Sequence, residues 1–70
     1  MPVANTSVIR AKELMEGDVL PIMDDIVHLT MVIVGDQRVF VKGKTIPAGR
    51  LVRWETENDT VVRIFYTIIE

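Results

Sequence analysis

One histidine and three aspartates are the residues of this chain whose types best suit metal binding or acid–base catalysis. His28 closely follows Asp24 and Asp25, and Asp18 lies ten residues before it. A zinc site needs three or four ligands on rigid elements, and a catalytic acid or base must be held within reach of its substrate. Asp24-Asp25 is typical of a turn, and one histidine is few for zinc. We therefore predict no metal site and no acid–base pair here.

The tripeptide Gly43-Lys44-Thr45 has the letters that end a phosphate-binding loop. That loop also needs a glycine five residues before its Gly-Lys pair, where this chain has Arg38, and it needs a strand-to-helix context. The pattern instead predicts the end of a hairpin, with Gly43 as a turn residue and Lys44 in solvent.

Nucleophilic side chains are scarce. The chain has no cysteine, and its single serine, Ser7, is close to the amino terminus. A nucleophile needs a neighbouring base that is itself held in place, and no such set is present. We predict that the protein is not an enzyme and has no cofactor.

Basic and aromatic residues in the second half suggest nucleic-acid binding, because small barrels often bind single strands on a sheet face that combines the two. The set is Arg38, Lys42, Lys44, Arg50, Arg53, Trp54 and Arg63. Basic residues on an exposed strand also discourage edge pairing, and tryptophan fills cores and interfaces. An oligomer that holds an anionic nucleotide-like ligand with its arginines is a related alternative. A net charge of −2 gives no general attraction to either.

A first hairpin is predicted between residues 26–34 and 38–42, across the three-residue loop Gly35-Asp36-Gln37. A loop with an odd number of residues places Val34 opposite Arg38 and brings apolar side chains from both strands onto one face. That face contains Leu29, Met31, Ile33, Val39 and Val41. The opposite face would leave Val32, Val34 and Phe40 in solvent.

A second hairpin is predicted between residues 50–56 and 60–69. It places Arg53 opposite Arg63 and groups further apolar side chains on one face. That face contains Val52, Trp54, Val62, Ile64, Tyr66 and Ile68. The last strand also carries Val61, Phe65 and Ile69 on its other side, which predicts a central strand or one that pairs with another chain.

The remaining elements complete a fold of class mainly β. Residues 1–6 are expected to be a flexible terminus, and 7–70 a single domain. Residues 8–16 read either as a short helix or as a strand at 8–10 followed by a helical turn at 12–16, which we prefer. Pro21 confines the strand 19–23 to an edge, and residues 47–49 form a turn. About five short strands with one helical turn predict a small, partly open SH3-like or OB-like barrel.

The stretch 9–19, IRAKELMEGDV, resembles the entry motif R-A-x-E-L-x-x-G-D-V of small β-rich proteins from actinobacteria and their phages. It covers about one sixth of the chain. In physical terms Leu14 would close one end of the barrel, Gly17 would adopt a positive φ, and Asp18 would cap the turn before the next strand. The resemblance implies an SH3-like fold and a phage-like origin.

The balance of size and hydrophobicity predicts self-association. A chain of 70 residues with 49% hydrophobic residues and no disulfide cannot hide all of its apolar side chains. The predicted contact surface is Val32, Val34, Phe40, Phe65 and Ile69. No segment has the length of a membrane span or a signal peptide, so a cytoplasmic location is expected. The predicted function is a non-enzymatic, self-associating interaction protein with a possible protein partner; nucleic acid or a nucleotide is the alternative.

Overall fold

Six antiparallel strands form one sheet in the structure, a computed structural model that describes the backbone of residues 3–68 and the side chains of residues 6–65. The strands are β1 (Val3–Arg10), β2 (Val19–Ile22), β3 (Asp25–Val34), β4 (Arg38–Ile46), β5 (Leu51–Glu57) and β6 (Val61–Ile68). A single 3₁₀ turn, Ala11–Glu13, follows β1. The mainly β class predicted from the sequence is confirmed, with six strands rather than five.

The sheet has the strand order β1-β6-β2-β3-β4-β5 and encloses one core, as a small, partly open barrel does. One side of each strand faces inward, and Ile9, Val32, Val52, Trp54 and Ile64 pack partly buried against the centre. The buried hydrophobic residues are Ala11, Leu14, Leu20, Ile22, Val27, Leu29, Val39, Val41 and Val62.

A β-bulge at Thr30 changes which side chains of β3 reach the core. Leu29 pairs with Gly43, but Met31 pairs with Lys42, so Thr30 is an extra residue in β3. Beyond the bulge the inward and outward positions of β3 are exchanged. Met31 and Ile33, which we predicted in the core, are therefore exposed, whereas Val32 packs against the core.

The loop of this hairpin also differs from the prediction. Val34 pairs with Val39 rather than Arg38, so four residues, 35–38, connect the paired positions. The N–H of Gly35 donates to the carbonyl oxygen of Arg38 at 2.8 Å. The longer loop and the bulge each shift the register by one residue, and the two shifts cancel below Thr30.

Strands β5 and β6 do not form the predicted hairpin. β5 pairs only with β4, and β6 pairs with β1 and β2 at the other side of the sheet. Arg53 therefore lies opposite Lys42, and Arg63 lies opposite Val8. The inward direction predicted for Val52, Trp54, Val62 and Ile64 is nevertheless correct, because these side chains meet across the core. The side chains of Tyr66 and Ile68 lie outside the described residues.

Residues 8–16 begin as a strand, the end of β1, and continue in a turn, as preferred from the sequence, although the turn is Ala11–Glu13 rather than 12–16. Leu14 is buried, and Gly17 has a φ of 92°. The carboxylate of Asp18 accepts a hydrogen bond from the N–H of Met15 at 2.9 Å. The positive φ expected for Gly17 and the turn-capping role expected for Asp18 are confirmed, and Leu14 belongs to the core.

The structure also differs from the prediction at the amino terminus and in the position of β2. Residues 3–6 of the expected flexible terminus belong to β1 and pair with β6, while residues 1 and 2 lie outside the described part. β2 lies between β6 and β3 in the sheet, but it pairs with β6 at Val19 alone. The missing donor of Pro21 is tolerated because the stretch beyond Val19 is in effect an edge.

Thr45 is the one buried polar residue among the described side chains and fixes the turn between β4 and β5. Its hydroxyl accepts a hydrogen bond from the N–H of Arg50 at 2.9 Å, and its carbonyl accepts one from Gly49 at 2.7 Å. We expect Thr45→Val to lower the free energy of unfolding by about 1 kcal/mol, because the hydroxyl acceptor is lost. Urea denaturation measures this, with Thr6→Val, at an exposed position of β1, as the control. Equal losses in both variants would contradict it.

Candidate functional site

The outward side of β3, β4 and β5, which we call the outer face, mixes exposed apolar and cationic side chains. Strand β4 alternates strictly, with Arg38, Phe40, Lys42 and Lys44 outward. Cross-strand pairing extends these positions into rows, because directly paired residues share a face. The rows are His28–Lys44–Leu51, Met31–Lys42–Arg53 and Ile33–Phe40–Glu55.

A shallow groove of about 320 Å³ runs between the second and third rows. Met31, Ile33 and Phe40 supply its apolar walls, and the paired residues Val41 and Trp54 lie between the rows. Ile33 is 55% exposed and Phe40 is 47% exposed. Large apolar side chains clustered in a groove, with polar residues at the rim, are typical of an interaction site.

Three cations of the outer face, two of them at the rim of the groove, are free to meet a partner. Lys42, Lys44 and Arg53 make no ion pair with any side chain of residues 6–65, whereas Arg38 donates from its Nε to Glu55 at 2.9 Å. This single pair is half exposed at both ends, so it adds little stability. The outer face therefore has surplus positive charge although the whole chain is acidic.

A second cavity, between the 35–38 loop and the turn before β6, is polar and of mixed charge. The Nδ2 of Asn58 donates to the carbonyl oxygens of Gly35 and Asp36, both at 3.1 Å. Asp59 accepts from Arg10 at 3.2 Å and lies 3.6 Å from Lys12. These contacts tie two turns and the 3₁₀ turn together, so the cavity is best explained as a structural junction.

The residues considered for metal or acid–base chemistry are exposed or half-buried on the surface. His28 points outward from β3 in the row with Lys44, and Asp25 pairs with Ile22 at the end of β2. Asp18 is engaged in its own turn. Within the described part of the chain, no three His, Cys, Asp or Glu residues are placed to hold a metal ion.

The predicted self-association residues do not form one patch. Phe40 is exposed on the outer face, but Val32 packs against the core because of the bulge. Val34 is exposed beside the hairpin loop, and Phe65 is half-buried between Thr6 and Val19. Ile69 lies outside the described residues.

The predicted basic set is divided by the topology. Lys42, Lys44 and Arg53 lie together on the outer face, with Arg38 at its end. Arg50 is exposed at the turn before β5, and Arg63 is outward on β6. Trp54 packs against the core from the inner side, as the core reading of this residue predicted.

Met31 and Ile33 are the residues of the groove that the sequence reasoning missed. Both belong to a strand, 26–34, that is apolar at nearly every position, so alternation could not reveal where the facing changes. Gly43 was the available signal, since a glycine inside a strand often marks a bulge or a close approach.

No helix within residues 3–68 is long and apolar enough to cross a membrane. Comparison of the chain with family models, with curated proteins and with solved structures finds no match. The outer face is therefore interpreted from its own chemistry.

Proposed function

We propose that this chain is a non-enzymatic interaction protein that self-associates, and that the outer face of β3–β5 belongs to its working surface. The observation that carries the proposal is the groove lined by Met31, Ile33 and Phe40. A small domain gains stability by burying large apolar side chains. A cluster of them on one outward face therefore indicates a binding surface. An SH3-like character and a phage-like origin remain part of this proposal, supported by the 9–19 motif alone.

The test of self-association is native mass spectrometry of the protein as purified, because one spectrum reports the subunit number and any retained ligand. We expect a discrete oligomer of the 7.9 kDa chain without added mass. A monomer at every concentration up to about 100 µM, a range in which weak homodimers assemble, would contradict self-association. Added mass of a nucleotide or oligonucleotide would instead favour the alternative.

The alternative function is binding of single-stranded nucleic acid or of an anionic nucleotide-like ligand. Its specific support is the position of Lys42 and Arg53 beside Phe40, which places two free cations next to an aromatic ring on which a base can stack. Since Arg63 lies on a different part of the sheet, it should not contribute.

If the alternative holds, reversing both cations in the variant Lys42→Glu/Arg53→Glu is expected to weaken oligothymidine binding at least about 100-fold, because phosphate contacts dominate such affinity. Fluorescence anisotropy at two salt concentrations measures it. The control Arg63→Glu/Arg50→Glu carries the same charge change and should stay within about threefold of the wild type. Equal losses in both double variants would exclude the outer face as the site.

A further inference from the structure

Strand β5 is an open edge of the sheet, and we propose that two copies of this chain pair through it. β5 is last in the strand order, so no strand within residues 3–68 pairs with its far side. An open edge presents unpaired backbone N–H and C=O groups, which is a template for another strand. The proposal rests on the self-association proposed above and adds the contact strand and its register.

The pairing of β5 with β4 determines which backbone groups reach the open edge. Thr45 donates its N–H to the carbonyl oxygen of Arg50 at 2.9 Å, so the hydrogen-bonding groups of Arg50 are directed to β4. In an antiparallel ladder this direction alternates along the strand. The residues whose N–H and C=O groups reach the open edge are therefore Leu51, Arg53, Glu55 and Glu57.

Two-fold symmetry then leaves few ways to pair β5 with its copy. Edge-directed groups must meet edge-directed groups, which places the two-fold axis beside residue 53, 54 or 55 in the central registers. An axis at Arg53 places that arginine opposite itself, and an axis at Glu55 places two carboxylates opposite each other. An axis at Trp54 instead places Arg53 opposite Glu55 of the second copy, twice.

The register centred on Trp54 is therefore the self-complementary one. It pairs all seven residues of β5, and it has no like charges directly opposite. The side chains of Arg53 and Glu55 both point outward, so the ion pairs between the two copies form on the outer face. Val52 meets Thr56 of the copy on the inner side, where both are half-buried.

This pairing also joins the two grooves. The row Met31–Lys42–Arg53 of one copy continues as Glu55–Phe40–Ile33 of the other, and Trp54 lies between the rows at the centre. A single groove then crosses the dimer, with apolar walls at both ends and alternating charges at the joint. Self-association thus enlarges the surface that the proposed function uses.

The charge test uses single reversals and their combination. In analytical ultracentrifugation, Arg53→Glu and Glu55→Arg are each expected to raise the dimer dissociation constant at least about tenfold, because like charges then face each other twice. The double swap Arg53→Glu/Glu55→Arg should restore it to within about threefold. Arg63→Glu, on β6, is the control with the same change of charge and should leave the dimer unchanged.

A cysteine test reports the register even if a reversal disturbs folding, and the natural chain has no cysteine to interfere. Paired residues in the proposed register have Cα atoms about 5.5 Å apart, which a disulfide can bridge. Under mild oxidation, a mixture of Arg53→Cys and Glu55→Cys proteins should form the mixed disulfide dimer. Neither protein should cross-link readily alone, because each cysteine is then offset from its own copy.

The outcomes separate this proposal from the function on which it rests. A wild-type monomer would overturn both. A wild-type dimer that is unaffected by the single reversals would overturn the β5 contact and leave self-association intact. Efficient self-cross-linking of Arg53→Cys alone or of Glu55→Cys alone would overturn the register centred on Trp54. Rescue by the double swap, together with the mixed disulfide, supports both the strand and the register.

Discussion

Replacing Gly43 with alanine is expected to lower the free energy of unfolding by about 3 kcal/mol, at the upper end of the range for overpacked sites. A Cβ at this position would lie 2.5 Å from the carbonyl oxygen of His28 and 2.5 Å from Cγ1 of Val27. The first of these atoms is backbone, so β3 itself would have to move. A chain of this length has roughly 4–10 kcal/mol of stability in total, so the loss is a large share.

Urea denaturation of Gly43→Ala measures this loss, and Lys44→Ala is the control from the same strand. Lys44 points outward, so its truncation is expected to change stability by less than about 0.5 kcal/mol. A Gly43→Ala protein as stable as the control would mean that β3 and β4 can separate at the bulge without loss. That result would show that the close approach of the β3 backbone is not the reason for a glycine at position 43.

Gly43 also shows why the sequence-based reading of the fold was right in class and incomplete in detail. The inward positions of β4 and β5 were recoverable because burial alternates along both strands, but the end of β4 was missed, since it was predicted at residue 42 and lies at residue 46. The bulge at Thr30 was not, because residues 26–34 are apolar on both sides and each register looks acceptable. Gly43 was interpreted as a turn residue, whereas it is a buried mid-strand glycine opposite Leu29.

The candidate site depended on information that local pattern does not contain. Loop parity correctly directed Trp54 and Val62 inward. The pairing of β5 with β6 was wrong, because it assumed that strands adjacent in sequence pair, as they usually do. In the structure the two strands lie on different sides of the sheet. Arg53 and Arg63 are consequently separated, and the strand with the open edge is β5. The non-local pairing of β6 leaves β5 as an open edge, whereas the groove follows from the bulge between the neighbouring strands β3 and β4.

Replacing Leu20 with alanine is expected to lower the free energy of unfolding by about 3 kcal/mol, within the range for buried leucines. Leu20 is 1% exposed and lies on β2, which pairs with β3 along its whole length but with β6 at Val19–Phe65 alone, so side-chain packing supplies most of the link between β2 and β6. A cavity here loosens the link between the two ends of the sheet. Thermal unfolding should show a midpoint lower by more than about 10 °C.

Leu51→Ala is the matched control, because Leu51 is 81% exposed and the same atoms are removed. Its stability is expected to stay within about 0.5 kcal/mol of the wild type when both are measured at a concentration that favours the monomer. At higher concentration, binding between folded copies raises the apparent stability of each dimerising variant. A midpoint of thermal unfolding for Leu20→Ala equal to that of Leu51→Ala would contradict the burial of Leu20 in the core, and with it the packing of β2 between β6 and β3.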